Sequence, residues 1–163
     1  MRANGWGDWV VAVMIEFLRA AKLATYASQG DAASVPALLA DSKQLEYRQG
    51  EWLYRDVYFG MFRFAGQEVV YHQSEPVWSM TYSGGLTQDD ARGQAAEIYA
   101  FLRQALLQTP VSLPLRGPSV LTVGDKSYGC ATVGGVAAFH GTEFIEVAGT
   151  KVYELHFSGL RLQ

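Results

Sequence analysis

The sequence predicts an α+β fold: one domain of two pseudo-twofold repeats, each a long helix followed by antiparallel β-hairpins. Three observations point there. The chain has 163 residues, 49% of them apolar and only 18% charged, which suits one globular domain and excludes a disordered chain. Two stretches with helical periodicity each precede a long run of β-branched and aromatic residues punctuated by glycine. One phrase, Phe-x-Gly-x-Glu followed by two apolar residues, occurs twice, in RFAGQEVV from Arg63 and in AFHGTEFI from Ala138.

The first helix is expected from about Trp9 to Ser28, capped by Asp8 and closed by Gly30. Val10, Val13, Met14, Phe17, Leu18 and Ala21 form its apolar stripe, with Arg19 and Lys22 largely off it. Pro36 keeps Val35 extended, so a loop follows, with one short turn near 37–40. Strands are expected near 44–49, 51–59, 61–64, 67–73 and 77–83, with gaps short enough for hairpins. A second helix starts at Thr87 or Asp89, carries Ile98, Phe101, Leu102, Ala105 and Leu106, and ends before Pro110. The proline-rich connector TPVSLPLRGPS leads to further strands from Val120, and its Arg116 is a candidate to cap carbonyls, pair with an acid or bind an anion.

Aligning 64–84 with 139–159 pairs Phe64 with Phe139, Gly66 with Gly141, Glu68 with Glu143, Val77 with Val152, Ser83 with Ser158 and Gly84 with Gly159. The repeats would run over about 1–87 and 88–163 and stack, because neither buries its apolar face alone. Gly66 and Gly141 read as a turn or bulge. Strand alternation then puts Glu68 with Val70, and Glu143 with Ile145, on half-buried faces. A carboxylate there must be hydrogen-bonded, paired or protonated. Two readings follow: each Glu braces its hairpin, or one or both line a cleft between the repeats.

The same alternation sets Trp52, Tyr54, Asp56 and Tyr58 on one face. With Trp78 and Tyr153 they would wall an aromatic cleft, Glu68 or Glu143 being its charged anchor and Asp56 a polar one. Arg55 reads as an ion-pair partner for Glu68 across the hairpin. Other chemistry is poorly supported. The net charge is −3 and no Lys/Arg stripe suits direct nucleic acid binding. His72, His140 and His156 lack metal-ligand spacing, so neither metal nor cofactor is expected. Cys130 is the single cysteine, which excludes an intrachain disulfide and fits a cytoplasmic protein. Val10 to Leu18 is broken by Glu16 and preceded only by Arg2, unlike a secretory leader, and no apolar run is long enough to span a membrane.

The stretches FLRAAKLATYASQG, LYRDVYFGMFRFAGQEVVYHQSEPVWSMTYSGG, LRGP and FHGTEFIEVAGTKVYELHFSGL resemble a prokaryotic family of uncharacterised domains, found alone or behind an XRE-type helix-turn-helix. The second half departs from the pattern: SYGCATVGG lacks the Arg-Asp that follows Tyr54. The resemblance implies a cytosolic partner of a DNA-binding module and carries no activity or catalytic residues. A two-fold α+β domain with an acid in its cleft also resembles the GyrI-like effector-binding domains, at the level of fold alone. The expected function is binding of a small, amphipathic or cationic organic ligand. The alternatives are a small enzyme with Glu68 as general acid or base, assisted by Tyr54, Asp56 or His72, and an interaction protein whose apolar face meets a second copy or another protein.

Overall fold

Alternation along long strands decides which side of this molecule is covered. The computed structural model describes residues 7–162, so Arg2 lies outside the described residues. Nine strands form one antiparallel sheet: β1 (Ser34–Val35), β2 (Lys43–Gln49), β3 (Trp52–Gly60), β4 (Arg63–His72), β5 (Glu75–Leu86), β6 (Val120–Val123), β7 (Lys126–Gly135), β8 (Ala138–Val147) and β9 (Thr150–Arg161). Their order is β1-β2-β3-β4-β5-β9-β8-β7-β6.

This order corrects the expected α+β fold of two long-helix-plus-hairpin repeats: the described residues form mainly one antiparallel β-sheet, with short helices laid over it. β5 and β9 are hydrogen-bonded neighbours from Trp78↔Arg161 to Leu86↔Tyr153, so every strand belongs to one sheet and no cleft separates two stacked halves. The physical reason is edge satisfaction. After its hairpin each of these 12-residue strands would show a long row of unpaired N–H and C=O groups, and pairing the two rows satisfies both.

One face of the sheet carries Leu45, Tyr54, Tyr58, Val70, Trp78, Met80, Tyr82, Tyr128, Phe139, Ile145, Tyr153, Leu155 and Phe157, all buried. The alternate positions Gln67, Thr81, Ser83, His140, His156 and Ser158 are exposed. An antiparallel sheet tolerates this arrangement, covered on one side only. The cover is helical. α1 (Asp8–Ala24) buries Met14, Phe17, Leu18 and Ala21, and α3 (Ala95–Leu106) buries Ile98, Phe101, Leu102, Ala105 and Leu106. The expected stripes are present, although Val10 is only half buried and Val13 lies on the exposed side.

The helix ends differ from expectation. Gly7, not Asp8, is the cap residue, and Asp8 sits in the first turn, where its charge complements the helix dipole. α1 stops at Ala24 because Thr25 leaves helical geometry, its hydroxyl donating to the Ala21 carbonyl at 2.8 Å. A four-residue helix α2 (Tyr26–Gln29) and a 3₁₀ turn over Gly30–Ala33 follow. α3 is entered through a 3₁₀ turn, Asp89–Gln94. No helix among the described residues is long and apolar enough to cross a membrane.

Gly66 and Gly141 make neither a turn nor a bulge. β4 runs unbroken through Gly66, with Tyr58 and Tyr82 as its register neighbours. The bulges fall later, at Val70/Tyr71 and Ile145/Glu146. A Cβ on Gly66 would meet the Tyr82 hydroxyl at 2.5 Å and Tyr58 Cβ at 2.6 Å; one on Gly141 would meet the Phe157 ring at 2.4 Å. Each glycine therefore leaves room for an aromatic ring to lie across its strand. Gly66→Ala is expected to cost about 1–3 kcal/mol in urea unfolding through overpacking. A neutral result would show that the Tyr82 ring does not need this gap.

Candidate functional site

The site begins with a register pair. Asp56 on β3 stands directly opposite Glu68 on β4, both on the covered face. Two carboxyl groups this close, under helices, cannot both ionise without compensation. α1 supplies one cation: Lys22 Nζ lies 2.5 Å from Glu68 Oε2 and donates to the Leu115 carbonyl at 2.8 Å. Burial lowers the Lys22 pKa, and the Glu68 carboxylate opposes that shift. Asp56 receives a hydroxyl instead. The Tyr82 ring crosses β4 over Gly66 and donates to Asp56 Oδ1 at 2.7 Å. Among the described residues Asp56 has no ion-pair partner within 4 Å. Burial first, then the Glu68 charge, pushes its carboxyl up to about 7. Burial and the Glu68 and Asp56 charges raise the Tyr54 phenol, which stays a neutral hydroxyl.

Glu143 has a different environment. Its register neighbour on β7 is Cys130, and its side chain is fully buried. Arg116 grips it in a fork, Nε to Oε2 at 3.0 Å and Nη2 to Oε1. Tyr128 and Tyr153 complete its hydrogen bonds at 2.6 and 2.8 Å. Arg116 is thus an acid's partner, held by the LRGP segment, in which Gly117 N–H donates to the Tyr128 hydroxyl at 3.0 Å. Arg55 does not pair with Glu68. It alternates to the other face and meets Glu46 on β2 at 2.8 Å.

Between the sheet and the helices lies a cavity of about 510 Å³. Lys22, Tyr54, Asp56, Glu68, Tyr82 and Arg116 line its floor region, with Tyr58, Phe64 and Tyr99 among its aromatic walls. Near α2 the lining includes Tyr26, Asp31, Lys43 and Arg103. Asp31 accepts hydrogen bonds from both Lys43 and the Tyr58 hydroxyl. Burial pulls the Asp31 carboxyl up, but those two bonds outweigh it and hold the pKa below the usual range.

Of the residues singled out from sequence, Tyr54, Asp56, Tyr58 and Glu68 meet in this cavity. The others stand elsewhere. Trp52 packs on Phe17 at 5.6 Å and stacks on His72 at 4.2 Å, which also keeps His72 out of the cavity lining. Trp78 donates to the Val136 carbonyl at 3.2 Å and stacks on Phe139. Tyr153 is fully buried behind the wall, its ring 6.4 Å from Phe64 and 6.1 Å from Tyr99. Lys22, Tyr26, Asp31, Tyr82 and Arg103 were not singled out. Only Lys22 carried a hint, as a cation adjacent to the apolar stripe. No cluster of three or more His, Cys, Asp or Glu among the described residues is arranged to hold a metal ion.

Two outcomes follow from these environments. Glu143→Gln strands the buried Arg116 charge and should cost about 3–5 kcal/mol in chemical denaturation, with part regained on adding Arg116→Met. Asp56 titrates near 7 when folded, against 3.8 for the free side chain. The folded state therefore holds a proton that the unfolded chain has released, and stability from this group is lost as pH rises through that interval. Asp56→Asn removes the loss. Its unfolding free energy relative to the parent should rise between about pH 4 and about pH 7, by at most about 4 kcal/mol. A pH-independent difference would rule out titration of Asp56 against Glu68, Tyr82, Lys22 and Arg116.

No curated protein and no solved structure matches the chain. One family model does match, over residues 56–162, which include Asp56, Glu68, Tyr82, Arg103, Arg116 and Glu143 but not Lys22, Tyr26, Asp31 or Tyr54. The chain belongs to the family described as a domain of unknown function, DUF5680.

Proposed function

We propose that the protein binds a small organic molecule in the cavity beneath α1 and α3. The observation that carries this reading is a pair of buried carboxyl groups, Asp56 and Glu68, of which only Glu68 is paired with a cation, beside a hollow of about 510 Å³. A volume of this order suits a small ligand. Aromatic walls with a few convergent polar groups give such a ligand apolar contact and orientation. An incoming cationic group would supply the charge that Asp56 lacks. Glu143 plays no part in recognition, since its oxygens are already engaged by Arg116, Tyr128 and Tyr153. A cytoplasmic setting and a sensor role beside a DNA-binding protein belong to the same reading, through the resemblance noted from sequence.

An enzyme is the second reading, favoured by one observation: neighbouring carboxyls with unlike partners, Lys22 at Glu68 and the Tyr82 hydroxyl at Asp56. Asp56 near 7 would donate a proton, while Glu68, paired with Lys22, would accept one. Turnover of a bound compound that disappears in both Asp56→Asn and Glu68→Gln, with binding retained, would select it.

Screening cationic aromatic compounds by thermal unfolding tests the binding reading. A compound at about one hundred times its dissociation constant stabilises by about 2.7 kcal/mol. That corresponds to roughly 5–10 °C for a chain of this size. Asp56→Asn should abolish the shift. A broad library with no hit would overturn the reading, as would hits indifferent to Asp56→Asn and Glu68→Gln alike.

A further inference from the structure

The charges lining the cavity do not all cancel. Glu68 takes Lys22, Asp31 takes Lys43, and Arg116 is taken from behind by Glu143. Once these pairs are set aside, two ionisable groups remain with no ion pair among the described residues: the carboxyl of Asp56 and the guanidinium of Arg103. They carry opposite signs. Neither pairs with the other.

They also lie at different places. The charged groups acting most strongly on Asp56 are Glu68, Lys22 and Arg116, which places it at the floor. Arg103 projects from the last turn of α3, and its charge acts on the Tyr26 phenol, which places the two near each other. It lies beside Gly30, where an added Cβ would stand 3.6 Å from Nη1. Its nearest candidate acid, Asp31, already accepts from Lys43 with one oxygen and from Tyr58 with the other. Arg103 therefore marks the α2 end of the cavity with a guanidinium that an anion can still reach. Guanidinium suits a carboxylate, which it can hold with two parallel N–H donors. Tyr58, two residues from Asp56 on the same strand face, reaches Asp31 at the α2 end with its hydroxyl, and Phe64 and Tyr99 also line the cavity.

We propose that the ligand is a zwitterion whose ammonium group docks on Asp56, whose carboxylate docks on Arg103, and whose apolar body lies against the tyrosines between them. This rests on the binding reading above and narrows it from a cation to a molecule charged at both ends. A plain cation would leave Arg103 unpaired, and a plain anion would leave Asp56 unpaired. A zwitterion satisfies both and adds no net charge to a partly buried site. Docking of the ammonium ionises Asp56, so a proton leaves for solvent as the complex forms. The groups facing Asp56 are Tyr82 from β5, Glu68 from β4, Lys22 from α1 and Arg116 from the loop after α3. Its neighbour on β2 is the apolar Leu45. Affinity for amines should thus fall as pH drops below about 7, whereas affinity for simple carboxylates should not.

The test is calorimetric titration of the full chain with matched probes: 6-aminohexanoate and 4-(aminomethyl)benzoate against hexylamine, benzylamine, hexanoate and benzoate. The zwitterions should bind at least about tenfold more tightly than either one-ended relative. Arg103→Gln should reduce them to the level of the amines while leaving the amines unchanged, and Arg103→Lys should restore part of the gain. Asp56→Asn should reduce them to the level of the carboxylates. Arg103 is half exposed, so its variants test the idea even if Asp56→Asn disturbs folding. Zwitterions that bind no better than amines, and ignore Arg103→Gln, overturn the inference while the cation-binding reading stands. Silence from all six probes also overturns it; the library screen above then decides separately whether the cavity binds anything.

Discussion

A carboxylate on the covered face of a sheet has to be answered by a donor or a cation, and here that requirement ties the cover to the sheet. Glu143 draws in Arg116, and with it the LRGP segment, which also hydrogen-bonds Tyr128 through Gly117. Glu68 draws in Lys22 from α1, and the same ammonium reaches the Leu115 carbonyl. Leu115 and Arg116 are adjacent, so the two ion pairs share one stretch of backbone. Helix α1, the connector after α3 and two strands are thereby fixed by a single chain of polar contacts. Without its cation either acid would bear an uncompensated desolvation cost of several kcal/mol. The apolar stripes of α1 and α3 supply the driving force for cover; the ion pairs select how the cover sits.

The two acids stand in similar strand surroundings, yet one is closed and one is open. Small substitutions beside them account for the difference. Opposite Glu143 stands Cys130, which adds no charge; opposite Glu68 stands Asp56, which adds a second carboxyl. Over Gly141 lies the Phe157 ring, which has no hydroxyl; over Gly66 lies Tyr82, whose hydroxyl reaches Asp56. Two tyrosine hydroxyls and a guanidinium fill the donors' places around Glu143. Around Glu68 there is one ammonium, and the remaining space is cavity. Polar chemistry is thus concentrated on the β3/β4 side of the sheet.

Period-two patterning made the inward direction of Tyr54, Asp56, Tyr58, Glu68 and Glu143 legible, because alternation depends only on neighbours in sequence. Helical stripes were legible for the same reason. Partnership was not. Lys22 meets Glu68 from 46 residues away and Leu115 from 93, and local pattern carries no sign of either. Pairing of β5 with β9 was equally hidden: two hairpin edges look alike whether they meet each other or solvent. Gly66 was misread because a glycine in a strand signals both a bulge and a close approach, and only the position of Tyr82 decides between them. Arg55 was assigned to Glu68 although the two fall on opposite faces, an error that the correct register removes.

A floor with two carboxyls and one ammonium is not what stability alone would select. Asp56 ionises only against burial and the Glu68 charge, which push its carboxyl up to about 7. An asparagine, or an apolar residue of similar size, would avoid that cost. Strongly shifted groups gathered around a hollow are more often found where a protein meets a ligand than where it merely packs. The rest of the interior sharpens the contrast: Glu143 shows that this same scaffold can satisfy a buried acid completely, with Arg116, Tyr128 and Tyr153 as its partners. What distinguishes Asp56 is therefore not that the fold lacks the means to pair it. It accepts one hydrogen bond, from the Tyr82 hydroxyl, and lines the cavity beside tyrosine rings. The unmet interaction is specific in sign and place, and a ligand that completes it recovers free energy that the empty protein forgoes.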